Sequence, residues 1–196
     1  MAREIPLLVA VAVAVAVLVK TFVAQAFYIP SGSMLPQLQL NDRVVVSKLA
    51  YDLHSPHRGD IIVFQAPPSQ QPAPAPNTEP DVVRWLRDAG EAIGVVTPST
   101  EDYIKRVIGL PGDVVEARGG HVYINGRRLA EPYLPRGVVT ADFGPVIVPA
   151  GRLWVLGDNR GDSCDSRCFP EGAIPESSVI GRAVFRVWPA GHASFL

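Results

Sequence analysis

Charge, cysteine and histidine are all scarce in this 196-residue chain: 19% of residues are charged, two are cysteines and four are histidines. The two cysteines, Cys164 and Cys168, stand four residues apart with no histidine placed to complete a ligand set, which argues against a zinc site. They leave two readings open, a small disulfide loop facing an oxidising compartment or a pair of free thiols. Net charge is −1, from 18 Lys+Arg against 19 Asp+Glu. No basic field is available, so a nucleic-acid partner is not expected. What is plentiful is apolar residues, at 47%, and turn formers, with 19 prolines and 17 glycines. That composition suits one domain of short strands joined by many turns, with part of the apolar surplus gathered at the N-terminus.

Ile5 to Val19 is an unbroken apolar run. Lys20-Thr21 interrupts it and Phe22-Val23-Ala24 resumes it, so the stretch to Phe27 has about the ~20 residues needed to cross a bilayer. Lys20 would snorkel to the outer interface. Arg3 precedes the run and no basic cluster follows at once, which puts the N-terminus inside and the body outside. The same segment also fits a cleavable signal peptide, because Ala24-Gln25-Ala26 is a small-x-small triplet behind a positive start. Either way the body lies on the outer face of a membrane.

Beyond Phe27, β-branched runs bounded by turn residues predict buried strands at Arg43 to Val46, Asp60 to Phe64 and Tyr103 to Ile108. Others are predicted at Asp113 to Ala117, His121 to Ile124, Val146 to Val148, Arg152 to Leu156 and Ala183 to Trp188. Asn125-Gly126 is a two-residue hairpin signal. The expectation is a mainly β, folded antiparallel sheet with barrel-like character. Residues 67–100 break the pattern as a Pro-rich insertion. Within it Val82, Leu86, Ala89 and Ile93 recur at helical spacing, which predicts a short helix on the sheet edge or, alternatively, one touching lipid through Trp85 and Leu86.

Three segments bear chemistry. In the first, Pro30 and Pro36 flank Ser31-Gly32-Ser33, a rigid turn that can present a serine hydroxyl beside its own N–H. In the second, Lys105 sits in the strand Tyr103 to Ile108. Alternation puts it on one face with Tyr103 and Val107, and puts Ile104, Arg106 and Ile108 on the other. Burial among such neighbours turns a lysine into a base, by lowering its pKa from about 10.4 towards 7–8 at roughly 3–5 kcal/mol. The third, Gly157 to Arg167, is dense in polar side chains directly after an apolar strand. There Asp165 and Arg167 can pair, and Ser163 can hydrogen-bond a neutral amine.

Together these segments resemble the bacterial type I signal peptidases, also called leader peptidases. Ser31-Gly32-Ser33-Met34-x-Pro36 is similar to the family's nucleophile box, and Arg58-Gly59-Asp60-Ile61-Ile62-Val63 to its structural strand. Tyr103 to Asp113 is similar to its lysine box. Gly157-Asp158-Asn159-Arg160, Ser163 and Asp165-Ser166-Arg167, followed by Gly181-Arg182-Ala183, are similar to its last box. The likeness covers most of residues 5–188, in the family's order and behind a membrane span.

The resemblance implies a serine endopeptidase that removes signal peptides from exported preproteins by a Ser/Lys dyad, with no metal or cofactor. It assigns Ser33 as nucleophile and Lys105 as general base, and gives the Ser33 N–H and the Ser31 hydroxyl to an oxyanion hole. Ser163 would orient Lys105, and Asp165 with Arg167 would brace the loop. Residues matching Ile29, Pro30, Leu38 and Ile104 line shallow apolar pockets that take small side chains. It also implies residues 1–4 in the cytoplasm, a retained anchor over 5–26 and an extracytoplasmic catalytic domain over 27–196. That places the enzyme in the bacterial plasma membrane as a single-pass protein, against the lipid bilayer and close to the export machinery. A second β domain shrinks to a small extension over 114–151. Ala24-Gln25-Ala26 is then either silent or a self-processing site, and Ser33 is too near to reach it, so any cleavage there passes between molecules.

Two other classes compete. A self-cleaving Ser/Lys repressor-type protease shares the dyad, but it is soluble and carries a DNA-binding module that this chain lacks. A non-catalytic anchored β domain that binds exported polypeptides would not need an intact Ser33/Lys105 pair. A His-based hydrolase is disfavoured, because His54, His57, His121 and His192 all lie outside the motif-bearing strings.

Overall fold

A computed structural model describes residues 23–71 and 102–196, together with Val13. The expected helix over 81–93 and, Val13 apart, the expected span up to residue 22 lie outside the described residues. Among the described residues no helix is long and apolar enough to cross a membrane.

The described chain is mainly β and antiparallel, in two sheets. The larger sheet takes β1 (Ala24–Tyr28), β2 (Arg43–Ser47), β11 (Val179–Trp188), β3 (Ile61–Gln65), β4 (Asp102–Gly109), β9 (Arg152–Leu156) and β10 (Ile174–Pro175) in that spatial order. A short β12 (Ser194–Phe195) pairs β11 outside that path. Among the described residues the order runs from β1 to β10 without closing into a full barrel. The smaller sheet has the order β7 (Arg127–Arg128), β6 (His121–Ile124), β5 (Val114–Arg118) and β8 (Phe143–Ile147).

Local sequence explains these elements. β3 reads Ile-Ile-Val-Phe-Gln and is buried along its first four residues, as expected of a central strand covered on both faces. Asn125 and Gly126 carry φ of 51° and 78° between β6 and β7, the positive values a two-residue hairpin needs. β8 begins at Phe143, earlier than the predicted Val146. Val148 falls outside it, because its N–H donates to the Asp113 carbonyl and its own carbonyl accepts from Gly112 in the turn before β5.

One expectation shifts at the N-terminal end. Ala24-Gln25-Ala26, read as the last residues of the span, opens β1, where the three residues pair with Ser47, Val46 and Val45 of β2. That ladder, together with burial of Phe27, draws the segment into the sheet.

Three apolar clusters hold the strands. One joins Phe27, Ile29, Met34 and Leu38 to Val44, Val46, Ile61, Val63 and Ile104. A second lies beneath the small sheet around Val115, Val122, Trp154 and Leu156. The third joins Ile62, Phe64 and Val107 to Leu153, Val155, Phe169 and Ile174. β4 contributes to all three, through Ile104, Ile108 and Val107. β3 and β4 face each other from Ile61–Arg106 to Gln65–Asp102, so the chain between Gln65 and Asp102 leaves and re-enters the sheet at one cross-strand pair.

Candidate active site

The turn after β1 is tied at both ends. The Ile29 N–H donates to the Asp42 carbonyl, and the Asn41 N–H returns a bond to the Ile29 carbonyl. Between these anchors Met34 and Leu38 are fully buried, which fixes the intervening serines over the apolar cluster. Ser33 is 8% exposed and Lys105, arriving from β4, is 4% exposed. The Lys105 Nζ lies 2.7 Å from the Ser33 Oγ.

The amine also donates to the Ile104 carbonyl at 2.9 Å. Burial pushes the Lys105 pKa down from 10.5 to about 8, while the carboxylates of Asp165 and Asp158 pull it back up. A neutral amine at that distance can take the proton of the hydroxyl. The Ser31 hydroxyl lies 3.3 Å from the Ser33 hydroxyl.

The loop after β9 forms the opposite wall. Gly157 packs so closely that a Cβ there would run into the Ser163 hydroxyl and the Ser33 carbonyl, so only glycine fits. The fully buried Asp165 accepts from the Gly157 N–H at 2.9 Å and pairs with both Nε (2.8 Å) and Nη2 (2.7 Å) of Arg167. Arg167 in turn donates to the Arg160 carbonyl at 2.9 Å. Cys164 and Cys168 form a disulfide across this pair.

The family profile described as "Signal peptidase, peptidase S26" matches residues 2–188. The chain belongs to that family. It is accordingly a serine endopeptidase. A signal peptidase I of Mycobacterium tuberculosis is 41% identical to it, over 95% of this chain and 72% of that protein. A signal peptidase I of Leptolyngbya laminosa is 43% identical, over 94% of this chain and 78% of that protein. A solved signal peptidase I of Enterococcus faecalis is 31% identical with a TM-score of 0.45, over 66% of this chain and 97% of that one.

The predicted residues of this family member meet unequally. Ser33, Lys105 and Ser31 converge, and Asp165 pairs with Arg167. Ser163 is different. Its hydroxyl is buried and has no hydrogen-bond partner among the described residues, so the expected bond to Lys105 is not made here. Of the expected pocket residues, Ile29, Leu38 and Ile104 share one apolar cluster, whereas Pro30 is exposed outside it.

Sequence reasoning missed the ionic frame around the site. Arg106, next to Lys105, clasps the carboxylate of Asp158 through Nε at 2.8 Å and Nη2 at 2.6 Å, and its Nη1 donates to the Gly59 carbonyl at 2.8 Å. Its guanidinium also sits 3.9 Å above the Tyr133 ring. Arg160, with a fully buried side chain, donates to the Gly157 carbonyl, to the Thr140 hydroxyl at 2.8 Å and to the Glu131 carboxylate. These bonds strap the 131–140 segment onto the loop. The charges of Gly157-Asp158-Asn159-Arg160 were visible, but their partners lie 20 to 52 residues away in the chain.

Proposed function

We propose that this serine endopeptidase cleaves the signal peptides of exported preproteins after small-x-small sites, with Ser33 as nucleophile and Lys105 as general base. The observation that carries the reading is the 2.7 Å approach of the Ser33 hydroxyl to a buried, pKa-lowered amine. Neutral Lys105 takes the Ser33 proton as Oγ attacks the scissile carbonyl, and the negative charge moves to the carbonyl oxygen. The Ser33 N–H and the Ser31 hydroxyl stabilise that charge, each donor being worth roughly 3–4 kcal/mol. Collapse breaks the C–N bond, and the lysine proton passes to the leaving amine. The same amine then deprotonates a water, which hydrolyses the Ser33 ester and frees the peptide carboxylate.

Ser163 orients the amine once a substrate excludes water, and its unpartnered hydroxyl is available for that bond. Asp165 and Arg167 hold the loop behind it. Ile29, Pro30, Leu38 and Ile104 shape the pockets that accept alanine-sized side chains and reject larger ones.

The apolar run from Ile5 and the family's retained span support a single-pass plasma-membrane protein, N-terminus inside and catalytic domain outside. The lipid bilayer and the export machinery are then its neighbours. For Ala24-Gln25-Ala26, pairing within β1 supports the silent alternative, since cleavage would require these residues to leave the sheet.

The test is preprotein cleavage by the full chain in vesicles. Ser33→Ala and Lys105→Ala are each expected to abolish it, and full processing by either variant would overturn the dyad.

A further inference from the structure

We infer that Asn159 is a positioning residue for the oxyanion hole: it aims the Ser33 N–H by gripping the far end of the same peptide unit. This inference rests on the dyad reading above. The Asn159 Nδ2 donates to the Gly32 carbonyl at 3.0 Å, across 127 residues of chain. The Gly32–Ser33 peptide is trans and planar, so its carbonyl and the Ser33 N–H point to opposite sides of one rigid plane. Holding the oxygen therefore sets the direction of the donor.

Other bonds complete the grip. The Leu35 N–H also donates to the Gly32 carbonyl, at 3.1 Å, which occupies both lone pairs of that oxygen. The Asn159 backbone N–H donates to the Ser33 carbonyl at 3.0 Å. Asn159 thus holds the peptide on each side of the nucleophile, one through its side chain and one through its main chain.

The clamp is itself anchored. Asp158 is locked by Arg106, and Arg160 bonds the Gly157 carbonyl with a side chain buried against Glu131 and Thr140. Asn159 is therefore flanked on both sides by buried ionic contacts. A donor pointing at the Gly32 oxygen also polarises the peptide, which strengthens the Ser33 N–H as charge grows on the substrate carbonyl. An amide suits the position. A carboxylate would set oxygen against oxygen, and an aliphatic chain would leave the carbonyl held only by Leu35.

The experiment compares Asn159→Leu, Asn159→Ala and Asn159→Asp with the parent full chain, each checked by melting temperature. Plateau kcat, above the acid limb of the pH profile, should fall about 10- to 100-fold, less than the ~10²–10³ of losing a donor outright. KM should stay within about threefold, as for an interaction made only in the transition state. Affinity for a peptide boronate ending in alanine should fall in step with kcat. The acid limb of the Asn159→Leu variant should stay near pH 8, because the Asn159 amide bonds the Gly32 carbonyl while burial, Asp165 and Asp158 set the Lys105 pKa.

Unchanged plateau kcat in a folded variant overturns the inference, as does a raised KM with intact kcat. A moved acid limb with unchanged boronate affinity also overturns it, and so does a set in which no variant folds, which would make Asn159 a plain structural residue. Ser33→Ala separates the two readings. Activity retained there sinks the dyad itself, whereas a dead Ser33→Ala beside a fully active Asn159→Leu sinks only the positioning role.

Discussion

Lys105 and Arg106 are consecutive residues of β4, and both side chains leave the strand into the interior. On Arg106's side the protein supplies a carboxylate, a backbone carbonyl and an aromatic face, all within hydrogen-bond or stacking distance. On Lys105's side it supplies a serine hydroxyl, one carbonyl and the more distant Tyr103 ring, 5.5 Å from the amine, but no contacting carboxylate, with Asp165 and Asp158 acting only through space. Adjacent cations therefore receive opposite treatment. One is paired and its charge compensated, while the other is desolvated and its pKa lowered to about 8. A guanidinium keeps its proton in either setting, so pairing serves to offset its buried charge. Burial without a contacting carboxylate is what lowers the Lys105 pKa.

Putting a guanidinium on the wrong face should break this contrast most severely. Lys105→Arg is expected to lose preprotein cleavage by ~10⁴-fold or more, because a guanidinium keeps its proton in proteins. Full-chain kinetics on a preprotein at pH 8–9 reads this out.

Removing the partner on the other face should cost stability instead. Asp158→Ala strands the Arg106 charge and is expected to destabilise the fold by about 3–5 kcal/mol in denaturant melts.

Lys105→Met should act in the opposite direction to Asp158→Ala. A lysine whose folded pKa lies near 8 against 10.5 carries a burial penalty that is fully present below pH 8 and vanishes as pH rises to about 10.5. The variant should therefore be more stable than the parent at pH 7, by at most about 3 kcal/mol, with the gain shrinking towards pH 10.5.

The disulfide tests the shared wall. Opening Cys164–Cys168 by a double serine variant removes a short loop constraint and should cost about 2 kcal/mol, with kcat largely kept. A collapse of kcat would show that the covalent staple, rather than the Asp165–Arg167 pair, holds the loop.

The smallest effect concerns the through-space charge. Activity should rise through an apparent pKa near 8 as Lys105 loses its proton, and Asp165→Asn should move that limb to lower pH, since Asp165 raises the lysine pKa. A limb moving upward would reverse the assigned sign.

Much of this contrast could be read from the chain and some could not. The strands of the core announced themselves, because β3 is a β-branched run and β9 an apolar one, each between turn residues. Lys105 stood out as half of a basic pair, with Arg106, set in an apolar strand. β1 was concealed, since Ala24-Gln25-Ala26 continues an apolar run and nothing local distinguishes an edge strand from the end of a span. The pairing of Arg106 with Asp158, the strap of Glu131 and Thr140 on Arg160 and the grip of Asn159 on Gly32 join distant residues. Periodicity carries no signal for such contacts, because each depends on the three-dimensional path between strands.

The cross-strand pair of Gln65 and Asp102 has a practical consequence for building with this enzyme. Partners in an antiparallel ladder sit ~5 Å apart, so whatever joins them starts and finishes at one doorway. Each doubling of such a loop costs only ~0.6 kcal/mol in closure entropy. Epitopes, fluorophore carriers or whole reporter domains can be grafted between those two residues while the ladder stays in register. Because Asp102 and Lys105 share β4, a probe installed at that doorway would sit three residues upstream of Lys105 on the same strand.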